Sequence, residues 1–253
     1  MKYQLDTIPV WDAYKTDCEC PLCVLKKHNE EMYVDSFLGA SVMEPDTRVE
    51  VNEKGFCATH YQHLFAQRNR LGLALMTHTY MQEVVKSVRE TLSSGGESRN
   101  GMFARLLKKP QTDSLTPGSR VRARIGKCIL CERLDYTIRR YAYTLVHLWS
   151  SDASFQAAFA ASKGFCLEHL ALVCDMAEEN LSAKELPAFL DVLTVLEEKN
   201  LQRVQDELEW FTLKFDYRNQ DKPWGNSRDA VERAINKLQG LCVGEDAEIK
   251  VKS

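Results

Sequence analysis

The feature that most constrains this chain is a pattern of metal-ligand residues written twice. Cys20-Pro21-Leu22-Cys23 is followed by Gly55-Phe56-Cys57-Ala58-Thr59-His60, and Cys128-Ile129-Leu130-Cys131 by Gly164-Phe165-Cys166-Leu167-Glu168-His169. In the two copies the first cysteine of the pair precedes the cysteine of the second element by 37 and 38 positions. Chance does not keep eight residues of ligand type in register. Zinc takes four nitrogen or sulfur ligands in a tetrahedron, and a Cys-x-x-Cys turn presents two thiolates to one ion. Cys-x-x-His at the start of a helix supplies the other two, with the helix dipole favouring the thiolate. A glycine before each Phe-Cys suits a turn that needs positive φ.

Each half is therefore expected to fill its own site: Cys20, Cys23, Cys57 and His60 in the first, Cys128, Cys131, Cys166 and His169 in the second. The expected cofactor is zinc, two ions per chain, with an iron–sulfur cluster as the alternative because cysteines also hold such clusters. Nine cysteines, an odd number, point to metal ligands in a reducing compartment before disulfides. Cys18 and His63 lie close enough in sequence to act as substitutes. The repeat favours His60 over His63, and Cys174, Cys242, His28, His78 and His147 read as ordinary core or surface residues.

Helical periodicity runs through the chain, with no sustained alternation of β-branched residues. The expected fold is all-α: two pseudo-repeated metal-knuckle halves, residues 1–95 and 127–253, joined by a basic linker rich in Pro, Gly and Ser over 96–126. Within the second half, Ser182 and Glu185 form a capping box. From there Phe189, Leu193, Leu196, Val204, Leu208, Phe211 and Phe215 make a stripe along a helix over 183–215, roughly 45 Å if unbroken. Packing within the chain explains such a stripe, and a homodimer seam is the alternative. A last helix runs from Ser227 to Gly240.

Residues 99–127 carry Arg99, Arg105, Lys108, Lys109, Arg120, Arg122, Arg124 and Lys127 against Asp113. The simpler reading is a solvated loop; the sharper one is a contact strip for an acidic protein, RNA or DNA. A net charge of -3 argues against a whole surface devoted to nucleic acid. MKYQLDTIPVWDAYKTD lacks the apolar run of an export signal, and no apolar stretch approaches the roughly 20 residues of a membrane span. A cytoplasmic protein is expected.

The strings TIPVWDAY, CPLC, VDSFLGASVMEPDTRVEVNEKGFCATH and NRLGLALMTHTY resemble an uncharacterised family of cysteine-rich proteins of about this length from anaerobic bacteria, which carries the label of a domain of unknown function. The resemblance is dense over residues 7–80. It continues through CILC, GFCLEH and FDYRNQDKPWGNSRDAVERAI to about residue 240. It implies an intracellular setting and no reaction, so no catalytic residue follows from it. Three readings of function stand: a zinc-stabilised, non-enzymatic interaction module; an iron–sulfur or thiol redox protein; and a metal-dependent hydrolase, for which Glu168 beside His169 is the candidate base. The third is weakened because Thr59 stands in the matching position. No phosphate-binding glycine motif is present.

Overall fold

A computed structural model describes residues 4–93, 116–244 and 247. Eleven α-helices occur among the described residues, and no strand. They are α1 (Gln4–Lys15), α2 (Pro21–Leu38), α3 (Pro45–Lys54), α4 (Ala58–Ala66), α5 (Arg70–Ser93), α6 (Pro117–Ile125), α7 (Ile129–Ser151), α8 (Ala153–Ala161), α9 (Leu167–Asn180), α10 (Glu185–Leu213) and α11 (Ala230–Gln239). The chain is all-α.

Local chemistry sets many of the boundaries. The capping box forms: Glu185 N–H donates to Ser182 Oγ at 3.3 Å, and Ser182 N–H to Glu185 Oε2 at 3.2 Å. Asp152 caps α8 by accepting from the Ser154 and Phe155 amides. Each such cap is worth about 1 kcal/mol.

The described residues fall into two compact units that do not follow the expected division at residues 95 and 127. One takes Met1–Asn29 with Leu134–Lys250, the other Glu30–Arg133. The dividing points lie inside α2 and α7, so each of these helices gives its first turns to one unit and the remainder to the other. A continuous helix carries no composition shift where it passes between cores, which is why the sequence places the boundaries elsewhere.

The first unit is built around Val10, Leu22, Leu145, Phe155, Phe159, Phe165 and Phe189, all with no more than 1% exposure. Asp6 on α1 accepts from Arg140 on α7 through both carboxylate oxygens. The second unit centres on Val34, Phe37, Val51, Leu64, Met76 and Leu130. Burying one such side chain contributes about 1.5–3 kcal/mol.

Two expectations need amending. The stripe on α10 is fully buried only as far as Val204, and Phe215 lies beyond the helix and is exposed. Phe211 and Phe215 pack instead on Trp224 from the turn that follows, which the Lys214 ammonium organises by donating to the carbonyls of Asn219, Gln220 and Lys222.

The second concerns the basic stretch. Arg99, Arg105, Lys108 and Lys109 lie outside the described residues, but its end is the helix α6 rather than a loop, with Thr116 as N-cap and Pro117 in the first turn. Arg124 donates to the Asn52 carbonyl and lies 5.2 Å from the centre of the Tyr80 ring. That residue therefore serves packing within its own unit.

Candidate metal centres

Each Gly-Phe-Cys-x-x-His element turns sharply into a helix. Gly55 and Gly164 have φ of 66° and 75°, a region that side chains with a Cβ rarely adopt. A Cβ on Gly55 would stand 2.5 Å from Tyr80 Cζ, and one on Gly164 2.4 Å from Glu197 Oε1. Cys57 and Cys166 then occupy the N-cap positions of α4 and α9 with extended backbone, and neither sulfur caps its own helix. The imidazole three residues later faces back across the first turn. Here His60 Nδ1 lies 3.1 Å from Cys57 Sγ, and His169 Nδ1 lies 3.3 Å from Cys166 Sγ.

The Cys-x-x-Cys elements sit at the N-termini of α2 and α7. Their own backbone closes them, with Cys23 N–H donating to Cys20 O and Glu132 N–H to Cys128 O. All eight residues singled out by the repeat enter two groups, but the pairing is exchanged relative to expectation. Cys20 and Cys23 join Cys166 and His169, whereas Cys57 and His60 join Cys128 and Cys131.

Nearly equal intervals in the two copies suit either pairing, so spacing does not decide it; the 18-residue α2 and the 23-residue α7 each stand between a Cys-x-x-Cys and the Gly-Phe-Cys turn that follows it. The link in the second unit is direct, since Ile129 N–H donates to Gly55 O at 3.1 Å.

The distances fit one ion in each group. Bonds of roughly 2.3 Å to sulfur and 2.0–2.1 Å to nitrogen around a tetrahedral zinc space the ligand atoms about 3.8 Å apart for S···S and about 3.5 Å for S···N. In the Cys166 group, Cys20 and Cys23 Sγ lie 3.3 and 3.4 Å from His169 Nδ1, and Cys23 and Cys166 Sγ are 3.6 Å apart. In the Cys57 group, Cys128 and Cys131 Sγ lie 3.3 and 3.4 Å from His60 Nδ1, and Cys57 and Cys131 Sγ are 3.8 Å apart.

Electrostatics favours one thiolate in each cluster. Contacts with Cys20 and Cys23 hold Cys166 far below the usual thiol range. Burial opposes charge on Cys128, but His60 and the backbone amides of Cys131 and Cys57 outweigh it and bring its pKa down to about 6. A divalent ion would displace the protons of the remaining thiols.

The surroundings differ. In the Cys57 group, Glu30 Oε1 lies 3.0 Å from His60 Nε2 and 3.4 Å from His63 Nδ1, the carboxylate–histidine arrangement that orients a metal-bound imidazole. Burial opposes the Glu30 charge, yet the two imidazoles hold its carboxyl at about 2. His63 thus supports the cluster without joining it. In the Cys166 group, the buried Lys237 of α11 donates to Glu19 O at 2.8 Å and Phe165 O at 3.3 Å, and also to Lys163 O. Glu197 accepts from the Phe165 amide at 2.7 Å. None of these carboxylates, nor Lys237, stood out in the sequence, because nothing marks a charged residue on a helix as facing inward.

Cys18, Cys174 and Cys242 stand outside both clusters. Burial pushes the Cys18 thiol up to about 11. Glu168 is exposed, with its carboxylate 2.9 Å from the Lys26 ammonium, so it faces a cation in place of the cluster.

Fold and site together define a class: an all-α protein carrying two Cys3His groups able to hold metal ions. Residues 1–245 match the Family of unknown function (DUF6062), and the chain belongs to that family. It is also 25% identical over 208 residues, 82% of its length and 87% of the other's, to the "Uncharacterized 23.9 kDa protein in xynA 3'region" of Caldicellulosiruptor sp. (strain Rt8B.4). No solved structure matches the chain. No described helix is long and apolar enough to cross a membrane.

Proposed function

We propose that this protein is a non-enzymatic helical module, held together by two structural zinc ions, that acts by binding another macromolecule. The observation that carries the reading is that in both groups four ligand atoms, three sulfurs and one nitrogen, lie within 4.8 Å of one another. An iron–sulfur cluster distributes its cysteines over several iron atoms and needs them farther apart. Four protein ligands also leave no open position for a substrate or water, unlike catalytic zinc sites with three. The decisive measurement is elemental analysis of protein purified without oxygen. Two zinc ions per chain and a colourless solution are expected; iron with visible absorption would replace this reading with the redox one.

The partner proposed is an acidic macromolecule, met by the exposed face of α6 through Arg122 and by Lys127 just beyond it. Affinity gained from released counterions falls steeply as salt rises. Binding to a polyanion is therefore expected to weaken in proportion to log salt and to be lost on replacing Arg122 and Lys127 with Glu, while metal content stays at two. Arg124 is spared because it packs internally. A flat titration with acidic polypeptide and with mixed RNA and DNA at near-physiological salt would retire this contact surface.

A further inference from the structure

The two clusters are unequally protected. In the Cys166 group every ligand is buried, with Cys20 at 5%, Cys23 at 8%, Cys166 at 0% and His169 at 2% exposure. The chain after α11 adds cover: Leu241 packs against the core that contains Cys23 and Cys166, and a Cβ on Gly240 would stand 3.9 Å from Cys166 Sγ. Lys237 binds the carbonyls of Glu19 and Phe165, the residues just before Cys20 and Cys166. Loosening that group requires α11 to move.

The Cys57 group is built otherwise. Cys128 and His60 are buried, but Cys57 and Cys131 are both partly exposed. They come from different segments, and their sulfurs are 3.8 Å apart. The charge nearest the cluster's imidazole is the Glu30 carboxylate. With a divalent ion and three thiolates the group carries a formal charge of minus one, and Glu30 adds another. Electron-rich, reachable sulfur is the nucleophile that attacks an electrophilic peroxide oxygen.

Resting on the metal-binding reading, we infer that Cys57 and Cys131 form a hydroperoxide-sensitive pair, whose oxidation to a disulfide releases the ion of that cluster while the other ion stays. One thiolate attacks the peroxide O–O bond and becomes a sulfenic acid, and the departing hydroxide takes a proton to leave as water. The second thiolate then attacks the sulfenic sulfur and expels hydroxide, which leaves as a second water. Two thiolates, one hydrogen peroxide and two protons thus give one disulfide and two waters. The ion retains only Cys128 and His60 and departs. Sulfur separation alone does not single out this pair, because Cys23 and Cys166 are 3.6 Å apart; access does, and the buried group serves as an internal control.

The test uses the full chain, shown beforehand to hold two ions, with hydrogen peroxide in modest excess. A zinc-binding dye follows release, and peptide mapping locates the disulfide. One ion should leave at least ten times faster than the other, with Cys57 joined to Cys131 and with Cys20, Cys23 and Cys166 still reduced. Simultaneous loss of both ions, earlier loss from the buried cluster, or a disulfide elsewhere overturns the inference and leaves the metal reading intact. A chain that holds no ion before peroxide is added fails the metal reading itself, and this inference with it.

Discussion

Chelation of both ions is expected to melt the helices that begin at the clusters, because structural zinc contributes on the order of 10 kcal/mol of apparent folding free energy in small domains. That equals the whole stability of an ordinary domain, about 5–15 kcal/mol. In hydrogen exchange the first turns of α2, α4, α7 and α9 should lose protection, while the middle of α10, around Phe189 and Leu193, outlasts them. Single substitutions divide the effect by cluster. Cys57→Ser and Cys128→Ser should each remove the same ion, halve the metal content, and loosen α4 together with the start of α7. Cys20→Ser and Cys166→Ser should remove the other ion and loosen the start of α2 with α9. Unchanged protection after complete metal removal would show that the ions do not support the fold. Loosening of α2 with α4 by Cys57→Ser would restore the pairing within sequential halves.

That experiment probes what spacing could not encode. The eight residues that make up the two groups were legible because metal chemistry admits few residue types, and because Gly-Phe-Cys-x-x-His recurs after similar intervals. The all-α fold was legible from apolar periodicity, with the end of α11 and the start of α10 marked by Gly240 and the Ser182 capping box. The partition of these residues between the two groups was not legible. Equal intervals in the two copies suit either pairing, and only the tertiary placement of the four elements, with Cys57 beside Cys131 and Cys23 beside Cys166, decides between them. The helix α6 was hidden for a different reason. Its proline and glycine read as loop punctuation, although proline in a first turn starts a helix as readily as it ends one.

Lys237 was the least legible residue. The segment Ala230–Gln239 presents a lysine where an amphipathic helix would turn one to solvent, yet this side chain is 1% exposed. Its ammonium holds together the two loops that carry Cys20 and Cys166, and it lies 3.7 Å from the Glu19 carboxylate, which Arg203 also contacts at 2.6 Å. Replacing Lys237 with Met keeps much of the aliphatic stem but leaves buried carbonyls without their donor and part of a charge network unbalanced. Removing one partner from a buried ion pair costs about 3–5 kcal/mol, which in a chain of this size lowers the melting temperature by roughly 10 °C. The loss should be specific. The ion held by Cys20, Cys23, Cys166 and His169 should yield to a competing chelator at least ten times more readily, whereas the ion held by Cys57, His60, Cys128 and Cys131 should compete as in the unaltered chain. Equal weakening of both ions would make Lys237 a general stability residue, and unchanged competition with an unchanged melting temperature would remove it from the account of this cluster.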